Sequence, residues 1–162
     1  MFDKTMIPND TQEMYDFMNY QLPFLLEDVN DNIANYSNTS ALINFYLKDI
    51  NWVGFYLVKG DHLILGPFQG IPACTKITID QGVCGTAASS LKTQIVNNVD
   101  EFPGHIACDS ASKSEIVIPI IINEKLIGVL DIDSPSLNRF DKIDAMNLEI
   151  VINQLINYIS ID

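Results

Sequence analysis

Apolar residues recur at helical spacing near the start of the chain. Met14, Phe17, Met18, Leu22 and Leu25 follow the helix-start string Thr11-Gln12-Glu13-Met14. Pro23 falls inside this pattern and is expected to end or kink the helix, because proline has no N–H for the preceding turn. A second apolar face, Ile33, Tyr36, Leu42, Phe45 and Tyr46, predicts a helix from about Val29 to Lys48. Past residue 50 the period shortens. Residues 51–58 and 63–68, parted by a Gly60-Asp61 turn, read as strands, and 75–79 alternates. A short helix over 85–91 and a short strand over 94–96 follow, then a long small-residue loop over 97–114, of a length that is usually functional. Strands over 115–122 and 126–133 precede a last helix over about 141–159. Asp141 and Asp144 imitate a capping box there, and Leu148, Val151, Ile152, Leu155 and Ile159 form the stripe to be buried. The pattern predicts an α+β fold, an antiparallel sheet of about six strands flanked by helices. It shows no repeat or linker, so residues 1–162 read as a single domain with a structured core over about 11–159.

Composition narrows the function classes. A chain of 162 residues with 48% hydrophobic content is globular and long enough for a sizeable core. Acids outnumber bases 21 to 9, and the net charge of −12 opposes phosphate backbones and anionic membrane surfaces. No basic stretch followed by a long apolar run opens the chain, and no segment has the length of a membrane span. A cytoplasmic protein with neither nucleic acid nor membrane as partner is expected. In that reducing compartment an odd cysteine count argues against a disulfide framework.

The strand 126–133 is apolar on both faces until its end, where Asp131 and Asp133 stand two apart and therefore on one side of the sheet. Glu115 opens the preceding strand. If the hairpin loop is Asn123-Glu124-Lys125, Ile122 faces Leu126 and Glu115 faces Asp133; a two-residue loop would put Glu115 on the other side. Three carboxyls that close cannot all ionise cheaply, so at least one would stay protonated and could donate a proton. The competing reading is solvated strand-end acids that hold the bend at Ser134-Pro135.

Cys74, Cys84 and Cys108 are separated by nine and twenty-three residues, with no paired zinc knuckle, so no metal is expected. Cys84 and Cys108 lie in glycine-punctuated strings that read as exposed turns, and Cys84 directly precedes the expected helix start, where backbone N–H groups favour a thiolate. Asp109 beside Cys108 works against its thiolate, and His105 could polarise it, although a loop histidine is more often solvated, as His62 is expected to be. Singly these are small buried residues or incidental thiols. Together a nucleophilic thiolate, a proton donor and a resolving cysteine are what thiol-based reduction requires. Trp52, Phe55 and Tyr56 could wall an apolar pocket or simply be core.

The strings Asn51-Trp52-Val53-Gly54-Phe55-Tyr56-Leu57, Leu65-Gly66-Pro67-Phe68-Gln69-Gly70, Gly82-Val83-Cys84-Gly85-Thr86-Ala87 and Gly104-His105-Ile106-Ala107-Cys108-Asp109 resemble the free methionine-R-sulfoxide reductases, as do 114–117 and 127–134. These are stand-alone GAF-domain enzymes, and the resemblance runs from about Thr11 to Ile159. It implies a GAF-like fold and reduction of free methionine-(R)-sulfoxide with no cofactor, thioredoxin regenerating the thiols. By the same resemblance Cys108 matches the catalytic nucleophile, with Cys74 and Cys84 in disulfide exchange, Cys74 being placed first, although a nucleophilic role for Cys84 has also been argued. Glu115, Asp131 and Asp133 match the acids that bind and polarise the sulfoxide, and Trp52 and Tyr56 the wall for its methyl end. A homodimer is compatible with the family. The alternatives are a GAF module that senses a small molecule, which would normally be fused to an output domain, and a cysteine redox switch.

Overall fold

The computed structural model describes residues 2–28, 31–104 and 109–160. Helix α1 (Thr11–Leu26) is opened by Asp10, whose side chain accepts from the Glu13 N–H at 3.0 Å. It buries Met14, Tyr15, Met18, Leu22 and Leu26, while Phe17 stays partly exposed. Pro23 does not end the helix: α1 runs on to Leu26, and Glu27 N–H donates to the Pro23 carbonyl at 3.0 Å. The proline removes one backbone bond near the C-terminus, and complete burial of Leu22 and Leu26 on either side offsets that loss.

Helix α2 (Asn32–Tyr46) is shorter than expected, because Asp31 caps it through the Ala34 N–H at 2.9 Å; Val29 lies outside the described residues. Tyr36, Leu42, Ile43 and Tyr46 face inward beside the fully buried Asn35, Thr39 and Ser40. Ile33 does not join them: it lies on the helix flank, 71% exposed. The small hydroxyls of Thr39 and Ser40 bond back to the carbonyls of Asn35 and Tyr36, so this inner row can be polar without losing partners.

The last helix, α4 (Lys142–Leu155), ends four residues short of the expected boundary. Its capping box forms as read from Asp141 and Asp144. Leu148, Val151, Ile152 and Leu155 are buried. Asp144 serves a second purpose, accepting from Tyr15 Oη at 2.6 Å and from Arg139 Nη1 at 3.3 Å, which fastens α1 to the start of α4.

Six strands form one antiparallel sheet: β1 (Trp52–Lys59), β2 (His62–Gly70), β3 (Lys76–Thr78), β4 (Gln94–Val96), β5 (Ser114–Ile122) and β6 (Lys125–Ser134). Their order is β3-β2-β1-β6-β5-β4. The remaining helix, α3 (Gly82–Ser90), lies between β3 and β4 in sequence. The α+β expectation holds. Helices α1, α2 and α4 cover one face, packing on Val53, Phe55, Ile116, Ile118, Ile120, Leu130 and Ile132. Helix α3 covers part of the other, which presents Trp52, Tyr56, Val117 and Val129. No described helix is long and apolar enough to cross a membrane.

The β5–β6 hairpin departs from its expected loop in an instructive way. The turn is the two residues Asn123 and Glu124, both at positive φ (49° and 64°), the left-handed pair that a tight hairpin turn needs. Ile122 therefore faces Lys125, not Leu126. Parity is nevertheless preserved. Ile121 pairs with Leu126 and Ile120 with Gly128, leaving Ile127 as an extra residue in β6. That bulge cancels the shift of the shorter turn, and Glu115 still faces Asp133.

Candidate active site

Strands β5, β6 and β1 meet at the centre of the sheet and bring the three acids together. Glu115 stands opposite Asp133, and Asp131, two residues along β6, shares their face. From β1, Trp52 pairs with Asp133 and Gly54 with Asp131. Glycine at 54 is required by what surrounds it: a Cβ there would stand 2.4 Å from Phe68 Cβ and 2.6 Å from Trp52 Cη2. Its absence lets the Trp52 indole fold along the strand between Tyr56 and Phe68, with ring centroids 5.9 and 5.3 Å away. Trp52 Nε1 donates to the Ile71 carbonyl at 3.1 Å, and Tyr56 Oη donates to the Cys74 carbonyl at 3.0 Å. The two aromatic residues thus form a wall and also hold the 71–74 segment over it. A pocket opens here, lined by Trp52, Tyr56, Ile71, Pro72, Ala73, Cys84, Asp109, Ser112, Glu115, Asp131 and Asp133 among others.

Cys84 is placed differently from the sequence reading. Helix α3 begins at Gly82, so Cys84 is inside its first turn and not ahead of it. It is a free thiol, 4% exposed, and its Sγ donates to Glu115 Oε1 at 3.9 Å. An exposed thiolate is therefore excluded. Burial and the adjacent Asp131 and Glu115 push the Cys84 thiol well up, outweighing the helix start.

The acids respond to the same surroundings. Burial, then Asp131 and Asp133, push the Glu115 carboxyl well above the usual range. Asp133 is pushed well up by burial, Asp131 and Asp109, with a hydrogen bond to Ser112 opposing them. Asp131 rises less, to about 6, because hydrogen bonds with Cys84, Glu115 and the Ile132 backbone favour its ionised form. Three like charges in one buried cluster are relieved by protonation, and the charge of Asp131 pushes both Glu115 and Asp133 toward their neutral forms. The alternative of solvated strand-end acids fails for Glu115 and Asp131, each 6% exposed.

Of the remaining expected site residues, Cys74 is disulfide-bonded, its backbone carbonyl held by Tyr56. Cys108 and His105 lie outside the described residues. His62 sits in β2 beside Asp61, with 3.2 Å between them, and does not line the pocket. Asn51 was missed as a separate contributor. Its Nδ2 donates to Asp109 Oδ2 at 2.8 Å and to Ser112 Oγ at 3.1 Å, tying the end of the long loop to the start of β1. Nothing local marked it; only the approach of residues 58 and 61 positions away gives it a role.

Comparison with known proteins agrees with this geometry. A GAF domain family model matches residues 40–160. The chain is 46% identical over 143 residues to the free methionine-R-sulfoxide reductase of Escherichia coli, covering 88% of this chain and 87% of that one. It is 52% identical over 125 residues to the free methionine-R-sulfoxide reductase of Saccharomyces cerevisiae, covering 72% and 69%. Among solved structures, the free methionine-R-sulfoxide reductase from Neisseria meningitidis in complex with its substrate superposes with a TM-score of 0.91 at 41% identity, covering 93% of this chain and 91% of that one. By its domain match and its identity to these relatives over most of its length, the chain belongs to the GAF-domain family of free methionine-R-sulfoxide reductases.

Proposed function

We propose that this protein reduces free methionine-(R)-sulfoxide to methionine, using Cys108 as nucleophile, Cys74 as first resolving thiol and thioredoxin as external reductant. The observation that carries the reading is the convergence of Glu115, Asp131 and Asp133 on a pocket walled by Trp52 and Tyr56, with Asp109 also in its lining.

The Cys108 thiolate attacks the sulfoxide sulfur while a protonated carboxyl delivers its proton to the sulfoxide oxygen. Glu115 and Asp133 are suited to this by their raised pKa values. Oxygen leaves with the cysteine as a sulfenic acid, and methionine departs reduced. The Cys74 thiol attacks the sulfenic sulfur, releases water and closes a disulfide, which the dithiol of thioredoxin opens. Sulfur supplies both electrons, so the scheme needs neither metal nor organic cofactor. Support for Cys74 over Cys84 comes from their surroundings: Cys74 is disulfide-bonded, whereas Cys84 is a buried thiol held protonated by two acids. The ionised Asp131 suits the substrate ammonium group, and Trp52 and Tyr56 suit its methyl end.

The test is NADPH consumption with thioredoxin, its reductase and each free epimer, beside a peptide carrying the same sulfoxide. Turnover with the free R epimer alone is expected. Absence of turnover with both epimers would refute the reading and favour a sensing or switching role.

A further inference from the structure

We propose that Cys84, Glu115 and Asp131 also form a binding site for one thiophilic divalent cation of the Zn2+ class. The cysteine spacing in the chain spoke against a zinc knuckle, but the fold assembles a different donor set: one thiol from the first turn of α3 and one carboxyl each from β5 and β6. A ligand atom from each lies within 4.8 Å of the other two, and all three residues are buried.

Two observations point to a cation. First, Asp131 is 94% buried by its 6% exposure, and its Oδ1 has no hydrogen-bond partner although it lines the pocket. A buried, unpaired carboxylate oxygen is costly and is a ready ligand. Second, the separations suit a small ion. Zinc at about 2.3 Å from sulfur and about 2.1 Å from oxygen, in tetrahedral geometry, puts the sulfur about 3.6 Å from each oxygen. Cys84 Sγ is already 3.9 Å from Glu115 Oε1. All three residues line the pocket, from which water can supply a fourth ligand.

The donor set also selects the ion. A thiolate ligand favours zinc or cadmium, whereas magnesium and calcium take oxygen ligands and gain nothing from sulfur. Zinc exchanges no electrons; on binding it displaces the Cys84 thiol proton and any carboxyl proton to solvent. The site stands on geometry alone. Its consequence rests on the function proposed above: the ion occupies the place where the sulfoxide oxygen would receive its proton, so ion and substrate exclude one another.

The test uses the full chain with Cys74→Ser and Cys108→Ser together, leaving Cys84 the sole thiol. Equilibrium dialysis against Zn2+ should retain one ion per chain, and Cd2+ titration should give the ultraviolet sulfur-to-cadmium charge-transfer absorption. Adding Cys84→Ser should abolish that absorption and weaken Zn2+ retention at least about 100-fold, a direct ligand counting for at least as much as an outer-shell partner. Thermal unfolding without metal verifies that each variant is folded. Wild-type protein with Cys74 in its disulfide provides a second route without substitution. Unchanged Zn2+ retention after Cys84→Ser, no stoichiometric uptake in either background, or equal retention of Mg2+ would overturn the site. None of these readouts involves turnover, so they succeed or fail independently of the reductase assay.

Discussion

Replacing Asp131 by asparagine removes a buried charge while keeping the shape of the side chain, and the structure fixes the sign of the effect on stability. The carboxyl rises from its ordinary 3.8 to about 6 on folding. A carboxyl whose folded pKa is raised contributes its full stability below the unfolded value, and that contribution is lost as pH rises through the folded one. The window here runs from about pH 4 to somewhat above pH 6. A shift of about two pKa units corresponds to roughly 3 kcal/mol. Well below pH 3.8 wild type carries a neutral Asp131 in both states and should match Asp131→Asn. At pH 7.5 the variant should be more stable by roughly 3 kcal/mol, or roughly 6–12 °C in Tm for a chain of this size. Glu115 and Asp133 are both pushed up by Asp131, so neutralising it also relieves them. The assay is urea unfolding of both proteins at pH values from about 3 to 7.5, with wild type showing declining stability across the window relative to the variant. A variant no more stable relative to wild type at pH 7.5 than at about pH 3 would refute the buried-charge reasoning. The same substitution should lower turnover, as expected where a site holds strain for function.

Other expectations concern the thiols and the loop. Cys108→Ser should abolish single-turnover methionine formation, whereas Cys84→Ser should retain it and Cys74→Ser should retain the first turnover but stall recycling; rapid-quench measurement of one turnover separates them. Asn51→Ala removes two hydrogen bonds that anchor Asp109 and Ser112, and a loss of about 1.4 kcal/mol would lower kcat about tenfold while amide exchange at 109–112 accelerates. Unchanged exchange there would dismiss Asn51 as an anchor. Gly54→Ala forces a methyl into Phe68 and the Trp52 ring, and should cost about 1–3 kcal/mol in denaturant unfolding together with a raised KM.

The chain's own periodicities determined the element order, the helix–sheet class and the shared face of Asp131 and Asp133, two apart on one strand. Those properties follow from short-range geometry: a repeat of two along a strand, of 3.6 along a helix, and the capping bond of Asp141, all settled within a few residues. The resemblance to a known enzyme family added the chemistry. What the sequence left undecided depends on which distant surfaces meet. The face parity survived a shorter hairpin turn only because Ile127 bulges out of β6. Pro23 stays inside α1 because the burial of its neighbours outweighs one lost backbone bond. Cys84 stands between two acids because α3 folds across β5 and β6, and burial there reverses the thiolate preference that its helix position alone suggested. Solvent exposure and electrostatic surroundings belong to the packed assembly of elements, and no local run of residues encodes them.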